Sequence, residues 1–289
     1  MIDTNDPGHV WRSRFAISAL SCAILIYQVG MTRILSVVVW YHFAFLSITL
    51  AMIGLGAPAV WYAVRPPGPR ALQRTLISSA VMIPLSVVVI LEGGRLLPML
   101  PDSSVSAASL LPPARVLLCG IAILIAMLCL GSGVCVLLLR AKGREFSRTY
   151  GADLLGAMLG ALLVVPLLDR VPTPHLLASL GLLPAATLLL YGMRDRVTGS
   201  ILALGVVTLL IWSTPLRVTY HKDGDETQME ILYEGWTATG RITVIDDLGD
   251  AEESSEHWLW GVGENYPQAV AEGRGSGTQR ALLSIEQDG

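Results

Sequence analysis

The feature that most constrains this chain of 289 residues is a series of long apolar runs that fills its first 212 positions. The hydrocarbon core of a bilayer is about 30 Å thick, so a helix needs about 20 mostly apolar residues to cross it. Lipid offers no hydrogen bonds to the backbone, and such runs must therefore form helices. Seven runs qualify: residues 15–32, 37–63, 75–97, 115–139, 151–168, 175–192 and 198–213. The sequence predicts an all-α polytopic membrane bundle of about seven transmembrane helices.

The charge changes sign where the apolar runs end, near Trp212. Residues 1–212 carry 15 Lys and Arg against 8 Asp and Glu, whereas residues 213–289 carry 5 against 15. The acidity of the second part argues against a nucleic-acid-binding surface. Short β-rich pieces separated by Asp, Gly and Thr predict strands in this part, but about 75 residues with few large apolar side chains are marginal for an independent core. We divide the chain into a polar N-terminus (1–14), a transmembrane helical domain (15–213) and a soluble, acidic, β-rich tail (214–289) that is an incomplete domain.

The basic residues of the short loops predict the orientation, because Lys and Arg concentrate on the cytoplasmic side. If the seven runs alternate in direction, the side that holds the N-terminus carries 11 Lys and Arg and the other side carries 4. This bias predicts a cytoplasmic N-terminus. Seven spans then leave the tail outside the cytoplasm, whereas six would return it to the cytoplasm.

Two ionisable residues, Arg33 and His42, interrupt an otherwise apolar stretch over residues 15–64. Ionisable groups at membrane depth are costly, so each is a candidate functional residue. One interpretation is a paired cation and imidazole that bind a substrate at the mouth of a cavity. The other has both residues in the turn between the first two spans, at headgroup level beside Trp40 and Tyr41, because aromatic residues favour that interface.

A third candidate, Asp153, lies close to a pair of glycines. Gly156 and Gly160 form a G-x-x-x-G pair, which permits close packing of two membrane helices. Asp153 is three residues before Gly156 and therefore lies on the same helix face. Its carboxylate either meets a partner helix or a cationic ligand there, or it is an acid of the first helical turn, stabilised by the helix dipole and by nearby Arg148.

No other pattern has the spacing of a metal, cofactor or catalytic site. The four cysteines lie in apolar runs without C-x-x-C spacing, which is typical of buried structural thiols. In the tail, the glycine-rich segments 261–263 and 273–277 lack the strand, turn and helix that bring backbone amides together on a phosphate. We therefore assign no catalytic residue, no metal site and no cofactor.

Three stretches of sequence carry a resemblance to a known family. They are I-Y-Q-V-G-M-T-R-I-L-S at 26–36, with W-Y-H-F-A-F at 40–45 and G-L-G at 54–56; Y-G-A-D-L-L-G-A-M-L-G at 150–160, followed by Pro166; and E-G-W at 234–236 with G-R-I-T-V at 240–244. Together they resemble bacterial membrane-embedded spermidine synthase-like proteins, in which transmembrane helices precede a soluble domain similar to spermidine synthase. Thr237 and Gly240 replace the Asn and Ser usual in that family.

The resemblance implies that a Rossmann-like catalytic domain follows the β-rich lead-in, with a Gly-rich loop and a catalytic Asp. The sequence ends at Gly289, about where that domain would begin. We therefore expect an integral membrane protein without aminopropyltransferase activity of its own, either a truncated product or one half of a split system. Its expected partners are the lipid bilayer and either a separate soluble catalytic domain or further copies of the chain.

A function of a different class stays open. In this alternative the chain is a transporter or binding module for a small molecule or lipid, with Arg33, His42 and Asp153 lining a polar cavity. A third reading is a scaffold whose tail docks a soluble partner.

Overall fold

The computed structural model describes residues 7–39, 43–96, 111–191, 216, 218, 230–237, 240–246 and 283–288. Its helices are α1 (Pro7–Val38), α2 (Ala44–Val64), α3 (Ala71–Leu96), α4 (Leu111–Arg140), α5 (Arg144–Leu168), α6 (Thr173–Ser179) and α7 (Leu182–Leu190). Within the described residues, six segments are long and apolar enough to cross a membrane, and the sixth comprises α6 and α7 together. The predicted apolar helical bundle is confirmed for six segments of spanning length, whereas the predicted seventh run, residues 198–213, lies outside the described residues.

Contacts between helix ends define two ends of the bundle. At the first, which we call the basic end, Arg14 near the start of α1 pairs with Glu145 at the start of α5. Tyr191, just after α7, donates a hydrogen bond to Ser13 (Oη–Oγ 2.9 Å). Helices α1, α3 and α5 therefore start at the basic end, while α2, α4 and α7 finish there. The turn between α5 and α6 lies at the other end, which we call the opposite end.

The sixth predicted run, residues 175–192, is helical and corresponds to the sixth candidate span, but it comprises two helices rather than one. The helix breaks at Leu180 and Gly181, where the backbone N–H groups bond carbonyls three residues back. Pro184 explains the break, because a proline lacks the N–H for the next helical bond and its ring clashes with the carbonyl four residues before it, here that of Leu180. The break lets the chain pack closely on α3, since a Cβ at Gly181 would lie 2.8 Å from the Ala80 carbonyl oxygen.

Burial separates an inner group of helices from an outer pair. The buried core is contributed mainly by α1, α3, α4 and α6–α7, and its members include Ile17, Met31, Ile83 and Leu130. Helices α2 and α5 keep large apolar side chains exposed on their outer faces, among them Met52 and Leu162. Lipid can solvate such faces, so the outward-facing apolar residues of α2 and α5 are compatible with a membrane-embedded bundle.

The described part of the tail forms one antiparallel sheet in the order β1 (Glu230–Trp236), β2 (Arg241–Asp246) and β3 (Leu283–Asp288). The predicted strands at 229–234 and 241–245 correspond to β1 and β2, and the one at 281–285 lies two residues too early. Thr237 and Gly240 close the hairpin between β1 and β2: the Thr237 N–H donates to the Gly240 carbonyl (2.9 Å), and the Gly240 N–H donates to the Thr237 hydroxyl (3.2 Å). The predicted strand at 257–260 lies outside the described residues.

Candidate functional site

The acid in the first turn of α5 is Glu145, not Asp153. The sequence placed the start of the fifth span near residue 151, but the helix begins at Arg144, directly after a turn in which Gly143 adopts a φ of 56°. Non-glycine residues rarely adopt this left-handed conformation. Glu145 pairs with Arg14 (2.6 Å) and with Arg148 (3.2 Å). The expected role for Asp153 as partner of Arg148 is therefore filled by Glu145.

Asp153 lies in the third turn of α5, where it accepts a hydrogen bond from the Ser21 hydroxyl of α1. Eight residues separate it from Glu145, which corresponds to about 12 Å along a helix. Its half-buried carboxyl therefore lies within the apolar span rather than at its edge. A carboxyl at this depth needs a polar partner, and the hydroxyl of Ser21 supplies one.

Gly156 and Gly160 continue the same face of α5 against α1. A Cβ at Gly156 would overlap the Ser18 carbonyl oxygen, and a Cβ at Gly160 would lie 2.7 Å from the Cys22 carbonyl oxygen. Both glycines are buried. The two helices thus approach each other through small residues, which brings the polar groups of Asp153 and Ser21 within hydrogen-bonding distance.

Arg33 does not belong to this site. It lies inside α1, which continues to Val38, so the interpretation that it sits in the turn after the first span is wrong. Twelve residues separate it from Ser21, about 18 Å along the helix. Arg33 is one turn beyond Gly30, which packs against Leu177 of α6. Arg33 and Asp153 therefore lie at different depths of the bundle, and His42 lies outside the described residues.

A second polar cluster joins the tail to the bundle, and the sequence pattern did not predict it. Arg241 of β2 is fully buried and donates through Nε to Glu234 Oε1 of β1 (3.0 Å) and through Nη2 to the Val218 carbonyl (3.4 Å). Trp236 donates to the same Glu234 oxygen (3.0 Å). Val218 is buried in the apolar core that the membrane helices form.

His175 of α6 lies near Glu234 of this cluster. It lies in the first turn of α6, at the opposite end of the bundle. The one sequence signal for the cluster is the spacing of Glu234 and Arg241 on facing strands. That spacing does not show that the β-hairpin packs beside α6.

Further buried groups are structural in character. Tyr27 of α1 and Ser86 of α3 share a hydrogen bond inside the core (2.6 Å). The four cysteines, Cys22, Cys119, Cys129 and Cys135, all carry free thiols within helices. Across the described ranges, no group of three His, Cys, Asp or Glu side chains is arranged to hold a metal ion.

No protein-family model, no curated protein and no solved structure matches this chain.

Proposed function

We propose that this protein is a bacterial inner-membrane protein whose helical bundle holds a β-rich tail at the outer face of the membrane. Its membrane region resembles that of spermidine synthase-like proteins, and we expect no aminopropyl transfer from these 289 residues alone. The observation that carries the proposal is the buried ion pair between Glu234 and Arg241, which packs against Val218 of the core. Formation of spermidine by the purified chain alone would contradict it.

Buried ion pairs do little for stability by themselves, since desolvation offsets most of their attraction. In this protein we infer that the pair contributes specificity, because its partners must meet with one geometry or remain unpaired. Here the two charged residues lie on different strands and bond two further groups: the Val218 carbonyl, which precedes the hairpin, and the Trp236 indole, which lies within it. This arrangement supports a tail held in a defined position rather than tethered loosely.

The orientation rests on charge and on two contacts. The loops at the basic end carry most of the Lys and Arg, which favours that end as cytoplasmic. Tyr191 meets Ser13 at the basic end, whereas Glu234 lies near His175 at the opposite end. Tyr191 and the hairpin therefore lie at different ends of the bundle, which supports a tail outside the cytoplasm.

Reporter fusions test this orientation. Alkaline phosphatase, which is active only outside the cytoplasm, should be active when fused after Gly289 and inactive when fused after Lys142. A fluorescent protein that folds only in the cytoplasm should give the reverse pattern, with the Lys142 fusion as the matched control. Fluorescence from the Gly289 fusion would contradict the proposed side of the tail.

One observation favours a second candidate, a binding or transport module for a small organic cation. Asp153 is a half-buried carboxyl within an apolar span, and such groups often mark substrate or ion pathways. Its distance from Arg33 along the bundle leaves Asp153 and Ser21 as the polar pair on which this function would depend.

The second candidate predicts that Asp153→Asn weakens the binding of a cation at least tenfold, with spermidine as the probe. Asn retains an oxygen that accepts from Ser21, so the thermal midpoint should change little while the charge is lost. The control is Ser21→Ala, which removes the hydrogen bond and keeps the carboxylate. If Asp153→Asn lowers the midpoint and leaves spermidine binding unchanged, Asp153 has a packing role only.

A further inference from the structure

A group of six cations lies where α2, α3, α4 and α5 meet the basic end. We call this group the cation rim: Arg65, Arg70, Arg74, Arg140, Lys142 and Arg144. Arg140 donates to the Pro69 carbonyl (3.1 Å), so the loop between α2 and α3 lies beside the end of α4. All members except Arg140 are exposed.

The acids of the described chain do not neutralise the cation rim. Glu145 is the nearest acid in sequence, and its carboxylate is occupied by Arg14 and Arg148. Asp153 lies deeper and accepts from Ser21. In the part of the chain that the structure describes, no carboxylate lies within salt-bridge distance of the rim.

Exposed aromatic side chains lie at the same level as the cation rim. The Arg65 guanidinium stacks over the ring of Trp61, 5.0 Å from its centroid, at the end of α2. Two further stacked pairs are Trp11 with Phe15 at the start of α1, and Phe146 with Tyr150 at the start of α5. Aromatic residues of this kind occupy the headgroup region of a bilayer, which is also the level of the lipid phosphates.

We infer that the cation rim binds the headgroups of anionic phospholipids. The expected ligand is a lipid phosphate whose negative charge is not balanced by a positively charged choline in the same headgroup. Juxtamembrane Lys and Arg attract such lipids, and basic sites between helices on the cytoplasmic side hold them. The level of the aromatic pairs favours a lipid over an acidic soluble protein, because lipid phosphates already lie at that depth.

The test measures how two lipids stabilise the purified full chain in neutral detergent. Dioleoyl phosphatidylglycerol should raise the thermal midpoint, with an effect that declines as salt increases, and dioleoyl phosphatidylcholine should not. The triple variant Arg70→Gln, Arg74→Gln, Lys142→Gln changes exposed residues and leaves the contact between Arg140 and Pro69 intact. Each lost cation should weaken the affinity roughly fivefold, so the Gln triple variant should bind phosphatidylglycerol about a hundredfold more weakly than the parent chain.

Two controls separate charge from structure. The triple variant Arg70→Lys, Arg74→Lys, Lys142→Arg keeps all three charges and should bind within about threefold of the parent chain. Arg170→Gln, at the opposite end, should not change lipid binding. The inference fails if both lipids stabilise equally, if the Gln triple binds as the parent does, or if the charge-preserving triple is as weak as the Gln triple. It also fails if polyglutamate at equal charge stabilises as well as the lipid, because the rim would then bind any polyanion.

Discussion

Gly156→Leu is expected to separate α5 from α1. We expect it to lower the free energy of unfolding by more than an overpacked core usually does, which is about 1–3 kcal/mol. A single methyl at this position already overlaps the Ser18 carbonyl oxygen, and backbone atoms cannot rotate away as a flexible side chain could. The helices must therefore move apart. That movement also lengthens the hydrogen bond between Ser21 and Asp153.

The matched control for this change is Gly151→Leu in the same helix. A Cβ at Gly151 has no neighbour within 4 Å, so the new side chain extends into open space. Because glycine is a poor helix former, this variant should be neutral or more stable by up to about 1 kcal/mol. Equilibrium unfolding in mixed micelles of a mild detergent and dodecyl sulfate measures both variants. Equal stabilities for the two would show that α1 and α5 are not held by close packing at Gly156.

Removing one member of the ion pair between Glu234 and Arg241 is expected to release the β1–β2 hairpin from the bundle. The Arg241 side chain is fully buried and that of Glu234 is 12% exposed, so either single change leaves a buried charge without its partner. Such changes typically cost about 3–5 kcal/mol. Protease protection of the tail and hydrogen exchange of the β1 and β2 amides report the release.

A double-mutant cycle isolates the contribution of this pair. The variants are Glu234→Gln, Arg241→Met and their combination. The combined variant has no buried charge, and its amide oxygen can still accept from the Trp236 indole. The tail of the combined variant should therefore be more resistant to protease and to hydrogen exchange than the tail of either single variant. If the two single effects simply add, the pair has no coupling and the hairpin is held by apolar contacts alone.

The sequence predicted which segments form helices better than it predicted where those helices begin and end. The fifth apolar run predicted α5, but the helix starts at Arg144, seven residues before the run. A helix can continue through charged residues into the headgroup region, so hydropathy alone misses its first two turns. The break before α7 follows from Pro184, whose effect depends on packing, because Pro58 and Pro84 lie inside helices that continue.

The sequence also identified the small-residue face of α5 without its partner. The spacing of Gly156 and Gly160 predicts a packed face, and the structure has α1 against both glycines. The polar pairs across that contact could not be predicted, because Arg14 and Ser21 are seven residues apart on α1 while Glu145 and Asp153 are eight apart on α5. These spacings match only once the two helices are known to run in parallel.

The sequence alone determined that the first part of this chain forms helices long and apolar enough to cross a membrane, because a bilayer admits few structures and apolar length reveals them. It also determined the charge difference between the ends of the bundle, which depends only on the alternation of spans. The tertiary structure decided which helices meet, that Asp153 bonds Ser21 while Glu145 pairs with Arg14, and that Arg241 bonds the carbonyl of Val218, a tail residue buried in the core. Such pairings join residues more than 20 positions apart, and their energies depend on geometry and burial that no local pattern encodes.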